Sequence, residues 1–186
     1  MTVLGISGTP RKDGNSEILL NAALEPFVEA GWNATKILLS EANIGMCTGC
    51  DTCRQLKQCV INDDMNKVYD AFGRCDAVII SSPAYYRNVP AQLKALMDRT
   101  YAAKHSPLAG KLGGAIAVGR SSSGDGGQSV VLNIIYSYFL SCGMLCVPGE
   151  LNGVTASADM PGDIVQNPKK LEQARVLGRN IIKGYR

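Results

Sequence analysis

Histidine is nearly absent: His105 is the single one in 186 residues. It sits in the polar connection KHSPLAGK, where a surface position is expected, so the chain offers no histidine-based pair or triad for proton transfer. Charge of one sign is also scarce. Nineteen Lys and Arg against 16 Asp and Glu leave a net charge of +3, scattered along the chain, which excludes the broad basic face that nucleic acid requires. No apolar run is long enough to span a bilayer, and the first, TVLGI, has no basic segment ahead of it and does not read as a secretory leader. The expectation is a cytoplasmic chain with reduced thiols and without a membrane partner. No Gly-Lys-Ser/Thr closes a nucleotide phosphate loop, and the glycine spacing is wrong for a dinucleotide fingerprint. Internal repeats, low-complexity tracts and interdomain linkers are missing too, so residues 1–186 read as one domain, able at 46% hydrophobic to bury one core.

Cysteine, in contrast, is plentiful and unevenly placed. Of seven, Cys47, Cys50, Cys53 and Cys59 fall within the run MCTGCDTCRQLKQC, with two, two and five residues between them. An odd number cannot all pair, and a chain with its own core in a reducing compartment has no need of disulfides. Soft thiolates this close in sequence suit a 4Fe–4S cluster or a tetrahedral zinc. Zinc modules usually split their ligands into two distant pairs, whereas a compact run favours a cluster. Against that, the last gap is five residues where bacterial ferredoxins have three, and Val60 stands where they have proline. Both metals stay open on spacing alone. Cys75, Cys142 and Cys146 lie in apolar or small-residue surroundings and are expected to pack as small hydrophobes.

The remainder alternates between short apolar runs and helical patterns. Strands are predicted at TVLGI, WNATKILL, DAVIISSP, LGGAIAVG and MLCVPGEL. Helices are predicted over about 17–30, 62–75, 88–103, 127–142 and 168–183. Continuous apolar strands separated by helices imply a parallel sheet covered on both faces, an α/β doubly wound fold. Residues 41–63, which carry the four cysteines, read as an insertion in that single domain.

In such a sheet, ligands bind beyond the carboxyl ends of the strands. The first such loop, SGTPRKDGNS, offers Ser7, Thr9, Arg11, Asn15 and Ser16 ahead of a helix N-terminus, a setting that favours a phosphate. The third strand is followed by SSPAYYRNVPAQLK, stiffened by prolines and presenting Tyr85 and Tyr86. The fourth leads into GRSSSGDGGQ, residues 119–128, whose glycines permit close backbone approach. A phosphate loop, an aromatic loop and a glycine-rich loop at one edge suit FMN, with its phosphate on the first and its flat ring between the other two.

SGTPRKDGNS, the four cysteines followed by DDM, SPAYYRNVPAQLKALMDRT and GRSSSGDGGQ together resemble the iron–sulfur flavoprotein family, within the flavodoxin-like NAD(P)H-dependent FMN reductase superfamily, over nearly the whole chain. The resemblance implies a flavodoxin-like five-stranded parallel sheet of order 2-1-3-4-5 with the cysteine-rich insertion after the second strand, bound FMN and a 4Fe–4S cluster. Carried over by position, Ser7, Thr9, Arg11, Asn15 and Ser16 hold the FMN phosphate and ribityl chain, and Pro83, Ala84, Tyr85 and Tyr86 line the flavin. Gly119, Arg120, Gly124, Gly126 and Gly127 belong to the glycine-rich flavin segment, and Cys47, Cys50, Cys53 and Cys59 ligate the cluster. No residue is assigned as a catalytic acid, base or nucleophile. The resemblance also implies a homodimer or homotetramer in which the cluster of one subunit faces the flavin of another, fed by a ferredoxin or a similar one-electron donor. The apolar segment LNIIYSYFL offers a surface for assembly, although a core-facing helix explains it as well. Two other classes stay open: an NAD(P)H-dependent reductase of flavin or quinone with zinc or an accessory relay at the cysteines, and a non-enzymatic metal-stabilised binding module.

Because the cysteines and the phosphate loop are separate in sequence, Cys53→Ser is expected to lose the metal centre and keep FMN. Iron and flavin contents after anaerobic purification check this, and joint loss of both would show the sites to be structurally coupled.

Overall fold

The computed structural model describes residues 1–103, 107–120 and 125–185; His105 and Gly124 lie outside them. Along the chain run β1 (Thr2–Ser7), α1 (Asn15–Glu29), β2 (Asn33–Leu38), α2 (Thr52–Leu56), α3 (Met65–Arg74), β3 (Ala77–Pro83), α4 (Ala91–Arg99), β4 (Leu112–Gly119), α5 (Gln128–Ser141), β5 (Leu145–Cys146), β6 (Val154–Ser157) and α6 (Pro168–Gly184).

β3 and β4 are apolar over almost their whole length because both of their faces are covered, and every residue of β4 is buried. Side chains alternate across the sheet. Leu4, Ile6, Val78, Ile80, Ala115 and Ala117 face a layer built by Phe72 of α3, Leu93 and Leu96 of α4, and Ile135 and Phe139 of α5. Val3, Ala77, Ile79, Ile116 and Val118 face the other way, onto Leu19, Leu20 and Phe27 of α1 and Leu177 and Ile181 of α6. The segment LNIIYSYFL thus turns Ile135 and Phe139 into the core, while Leu140 stays exposed. Cys75 and Cys142 are buried as expected, and Cys146 is half-buried against the same cluster. Burial pushes the Cys75 and Cys146 thiols up.

All strand pairs are parallel, as the apolar runs require, in the order β2-β1-β3-β4-β5 that the family resemblance implies, and the order reverses beside β1. The far edge differs from expectation. The strand predicted over MLCVPGEL stops after Leu145 and Cys146, which pair with Leu112 and Gly113. Pro148 has no N–H to offer a ladder, and the chain bows away from β4 there, held by Tyr136 Oη donating to Val147 O (3.2 Å) and by Asn180 Nδ2 donating to Pro148 O and Gly149 O (both 3.1 Å). It returns at Gly153, where a Cβ would stand 2.8 Å from Ala115 O, and β6 then resumes the edge with Ile116 opposite Val154 and Gly119 opposite Ser157. The expected fifth strand is a split edge, giving six strands among the described residues.

The helices follow their predicted positions with shifted ends, α1 starting earlier at Asn15 and α3 and α4 being shorter than expected. α4 stops at Arg99 and passes into a 3₁₀ turn over Thr100–Ala103, and a further 3₁₀ turn covers Asp163–Gln166. The cysteine insertion contains only the short α2. Among the described residues, no helix is long and apolar enough to cross a membrane.

α1 and α6 approach so closely that a Cβ on Gly178 would strike the Ala23 carbonyl oxygen and meet the Phe27 ring at 3.4 Å. A carbonyl within a helix cannot step aside, so Gly178→Ala is expected to destabilise the fold by about 1–3 kcal/mol. The denaturation midpoint measures this; an unchanged midpoint would contradict the packing.

Candidate functional site

A cavity of about 430 Å³ opens where β1, β3, β4 and β6 end. Its floor and walls come from four successive loops: Thr9, Arg11, Gly14, Asn15 and Ser16 after β1; Pro83, Ala84, Tyr85 and Tyr86 from β3 onward; Val118, Gly119 and Arg120 at the end of β4; and Ala158, Asp159 and Pro161 after β6.

The first loop is held from below. Gly8 N donates to Ser81 O (2.7 Å), and a Cβ there would press on Leu93 at 2.8 Å. Ser81 Oγ donates to Ser16 O (2.7 Å), fastening the start of α1 to β3. Thr9 Oγ1 accepts from Arg11 N (3.2 Å), and Asp13, at φ 53°, donates its N–H to Glu17 Oε2 (3.0 Å). Gly14 is the N-cap of α1 and brings no capping side chain; the N–H groups of Glu17 and Ile18 return to Gly14 O (2.9 and 3.0 Å), and Asn15 and Ser16 line the cavity beside Thr9 and Arg11. An uncapped helix N-terminus flanked by a hydroxyl and a guanidinium fits a phosphate.

The second loop is a tight turn. Tyr85 N donates to Asn88 O (2.8 Å) and Asn88 N to Tyr85 O (2.9 Å), with Tyr86 and Arg87 between them at φ 47° and 59°. Two successive non-glycine residues in the left-handed region cost of order 1–3 kcal/mol each. The turn leaves Tyr86 fully exposed at the rim. In the third loop, a Cβ on Gly119 would meet Gln128 Cδ at 2.6 Å, so β4 ends close against the side-chain amide of Gln128, whose Nε2 donates to Ala156 O (3.2 Å) and Ser157 Oγ (3.0 Å). Gly126 and Gly127 do not line the cavity. A Cβ on Gly126 would meet Arg120 O at 2.8 Å and one on Gly127, at φ 99°, would meet Arg87 Cα at 2.8 Å. Gly126 thus packs the third loop onto its own start at Arg120, and Gly127 packs it onto the tyrosine turn, where Arg87 Nη2 donates to Asp125 O (3.3 Å).

Of the residues expected here, Thr9, Arg11, Asn15, Ser16, Pro83, Ala84, Tyr85, Tyr86, Gly119 and Arg120 are brought together. Ser7 lies beneath, 1% exposed, its Oγ buried without a hydrogen-bond partner. Asn15 reaches the cavity, but its side chain holds the loop after β6: Nδ2 donates to Met160 O (2.8 Å) and Oδ1 accepts from Ile164 N (3.1 Å). Ala158, Asp159 and Pro161 were not expected. Their signal is weak, a short alternating run, VTAS, followed by the turn-forming ADMPGD.

The four cysteines gather elsewhere. Cys47, Cys50, Cys53 and Cys59 line a single small cavity of about 50 Å³ with Arg99, Tyr101 and Ala102, and no described residue is shared with the larger one. The loop turns sharply, with Gly49, Asp51 and Lys57 at φ 68°, 57° and 61°. Cys47 and Cys50 are exposed, and Cys53 and Cys59 half-buried. Hydrogen bonding by Thr52 and Thr48 holds the Cys50 thiol below its ordinary value. Among the described residues, no three His, Cys, Asp or Glu side chains converge closely enough to grip an ion as they stand. The donor set itself, four thiols on one cavity, fits a thiolate-seeking metal or cluster.

Arg99 was not singled out from the sequence, yet it fastens this loop to the fold. It ends α4 with its side chain 1% exposed, pairs through Nη1 with the Asp63 carboxylate, and donates to Gly45 O (3.2 Å), Ile61 O (3.1 Å) and Cys59 Sγ (3.5 Å). Asp63 accepts in turn from Gly45 N (2.8 Å) and Met65 N (3.0 Å), while Asp64 accepts from Asn43 N (2.8 Å). Burial alone would push the Asp63 carboxyl up, but the hydrogen bonds from Arg99, Gly45 and Met65 outweigh it and hold it below the ordinary carboxylate range. Tyr69 Oη donates to Arg99 O (2.8 Å), and burial pushes that phenol up to about 12.

Comparison with known proteins agrees with this geometry. Residues 1–157 match the family described as NADPH-dependent FMN reductase. An iron-sulfur flavoprotein of Methanocaldococcus jannaschii is 37% identical over 186 aligned positions, covering 97% of this chain and 95% of that one. One from Methanosarcina thermophila is 38% identical over 149 positions, covering 79% and 77%. Among solved structures, the NAD(P)H:quinone oxidoreductase from Methanothermobacter marburgensis superposes with a TM-score of 0.73 at 19% identity over 97% of this chain and 96% of its own, a likeness of fold. The chain belongs to the iron–sulfur flavoproteins of the NADPH-dependent FMN reductase family and is a flavin-dependent oxidoreductase whose cofactor is FMN.

Proposed function

We propose that this protein carries electrons from a one-electron donor such as a ferredoxin, by way of a 4Fe–4S cluster on Cys47, Cys50, Cys53 and Cys59, to FMN in the larger cavity and on to an acceptor. The observation that carries the reading is the presence, on one chain, of two separate cavities whose linings suit these two groups. Bound FMN exchanges electrons singly or as a hydride, and the cluster passes them one at a time.

The chain's own part is to bind, orient and shield. Thr9, Arg11 and the uncapped start of α1 hold the phosphate. Pro83, Ala84, Tyr85, Gly119 and Arg120 flank the ring, and Ala158 and Pro161 close the far wall against water. No titratable side chain is required to take a proton. Because the cavities share no residue, a second copy is proposed to bring its cysteine loop to this flavin, as a homodimer or homotetramer. Exposed Tyr86 at the flavin rim, and exposed Met46, Leu56, Val60 and Tyr101 around the cysteines, support such a contact.

The family description favours a second reading, in which NAD(P)H reduces the flavin directly and the cysteines hold zinc or an accessory relay. Anaerobic purification with an absorption spectrum and metal analysis separates the two. Flavin bands over a broad shoulder bleached by dithionite, with iron and acid-labile sulfide in equal amounts, are expected; zinc without iron, or rapid steady NADPH oxidation, would transfer the weight to the second. Arg11→Ala removes a charged donor to the phosphate and is expected to weaken FMN binding by about 1.5–3 kcal/mol, roughly ten- to hundredfold. Fluorescence titration of the flavin-free protein measures it, and unchanged affinity would remove Arg11 from the site.

A further inference from the structure

Arg99 is the largest fully buried side chain among the described residues, and a buried guanidinium needs a reason. Cys47, Cys50 and Cys53 are brought to one place by local chain geometry. Cys59 lies beyond α2 and the left-handed Lys57, and its sulfur is met from outside, by Arg99 Nη2 at 3.5 Å. The same planar group reaches both feet of the cysteine loop, Gly45 O at 3.2 Å on one side and Ile61 O at 3.1 Å on the other, with the Asp63 carboxylate between them. Its Nε is buried with no hydrogen-bond partner. An ammonium cannot reproduce this fork.

We propose that Arg99 is a positioning residue for the metal centre, presenting Cys59 as the fourth ligand and setting the ease of reduction through its hydrogen bond to that sulfur. This rests on the reading of the four cysteines as cluster ligands. A donor to a ligand sulfur favours the more negative, reduced form and raises the potential, while the Asp63 carboxylate, 8% exposed beside it, opposes that effect. In so dry a setting neither charge is well screened by water.

The test compares the full chain with Arg99→Met, Arg99→Lys and Asp63→Asn. Redox titration of anaerobically reconstituted protein, at equal iron per chain, is expected to give a more negative cluster potential for Arg99→Met, a smaller shift of the same sign for Arg99→Lys and a less negative potential for Asp63→Asn. A purely structural clamp would move none of them, or all in one direction, and either result overturns the proposal. In the metal-free protein, alkylation followed residue by residue is expected to become several-fold faster at Cys59 in Arg99→Met and to stay constant at exposed Cys47. An unchanged rate at Cys59 would sink the positioning role. If the native chain takes up no iron, the cluster reading and the tuning role fall together, while Cys59 alkylation still decides whether Arg99 holds that residue. Should Arg99→Met not fold, Arg99→Lys and Asp63→Asn carry the comparison.

Discussion

A guanidinium buried against a carboxylate fastens the cysteine-bearing loop to the end of α4. Arg99 and Asp63 are both nearly sealed from water, and between them they bind Gly45, Ile61 and Met65, so the long excursion bearing the cysteines closes on one ion pair. Removing one member of such a pair generally costs about 3–5 kcal/mol, because the other charge is stranded. Exposed pairs such as Lys94–Asp98 and Lys67–Asp64 contribute little by comparison. α4 gives the pair its reach. The helix begins just after the tyrosine turn at the larger cavity and ends at Arg99, and its nine residues rise about 13 Å. One short rigid element therefore has a wall of each site at its two ends.

The larger cavity, proposed for FMN, depends on a different device, the split edge of the sheet. Had the fifth strand run on through Pro148, the chain would have left β4 too early to bring Ala158 and Pro161 to the cavity. The bow at 147–153 resets the register so that β6 ends level with β4, with Ser157 opposite Gly119. Asn15 then locks the returning loop, bonding Met160 and Ile164 from the first turn of α1. The side chain that local sequence suggested for the phosphate thus shapes the pocket from behind.

Much of this was legible in the chain because it is written locally. The buried runs of β1, β3 and β4, the helical stretches between them, the loops after β1 and β3 and the cysteine spacing each depend on neighbouring residues, and the structure brings the first two loops to one cavity and the four cysteines to another. Of the third loop only Gly119 and Arg120 reach the larger cavity among the described residues. What escaped is non-local. Nothing near Arg99 says that it will be buried, since its partners are 36 to 54 residues away. The Asn15 contacts span 145 and 149 positions. VTAS is too short to announce a strand, and MLCVPGEL reads as one until the missing Pro148 N–H and the glycines after it are set against the β4 ladder.

Electrons are proposed to reach the flavin through the cysteine-bound centre. Rapid anaerobic mixing of the FMN-loaded protein with a reduced ferredoxin, following the flavin absorption in the native chain and in Cys53→Ser, tests this most directly. The flavin should bleach quickly in the native protein and stay oxidised, though still bound, in the variant. Equal rates in both would show that electrons reach FMN without the cysteines.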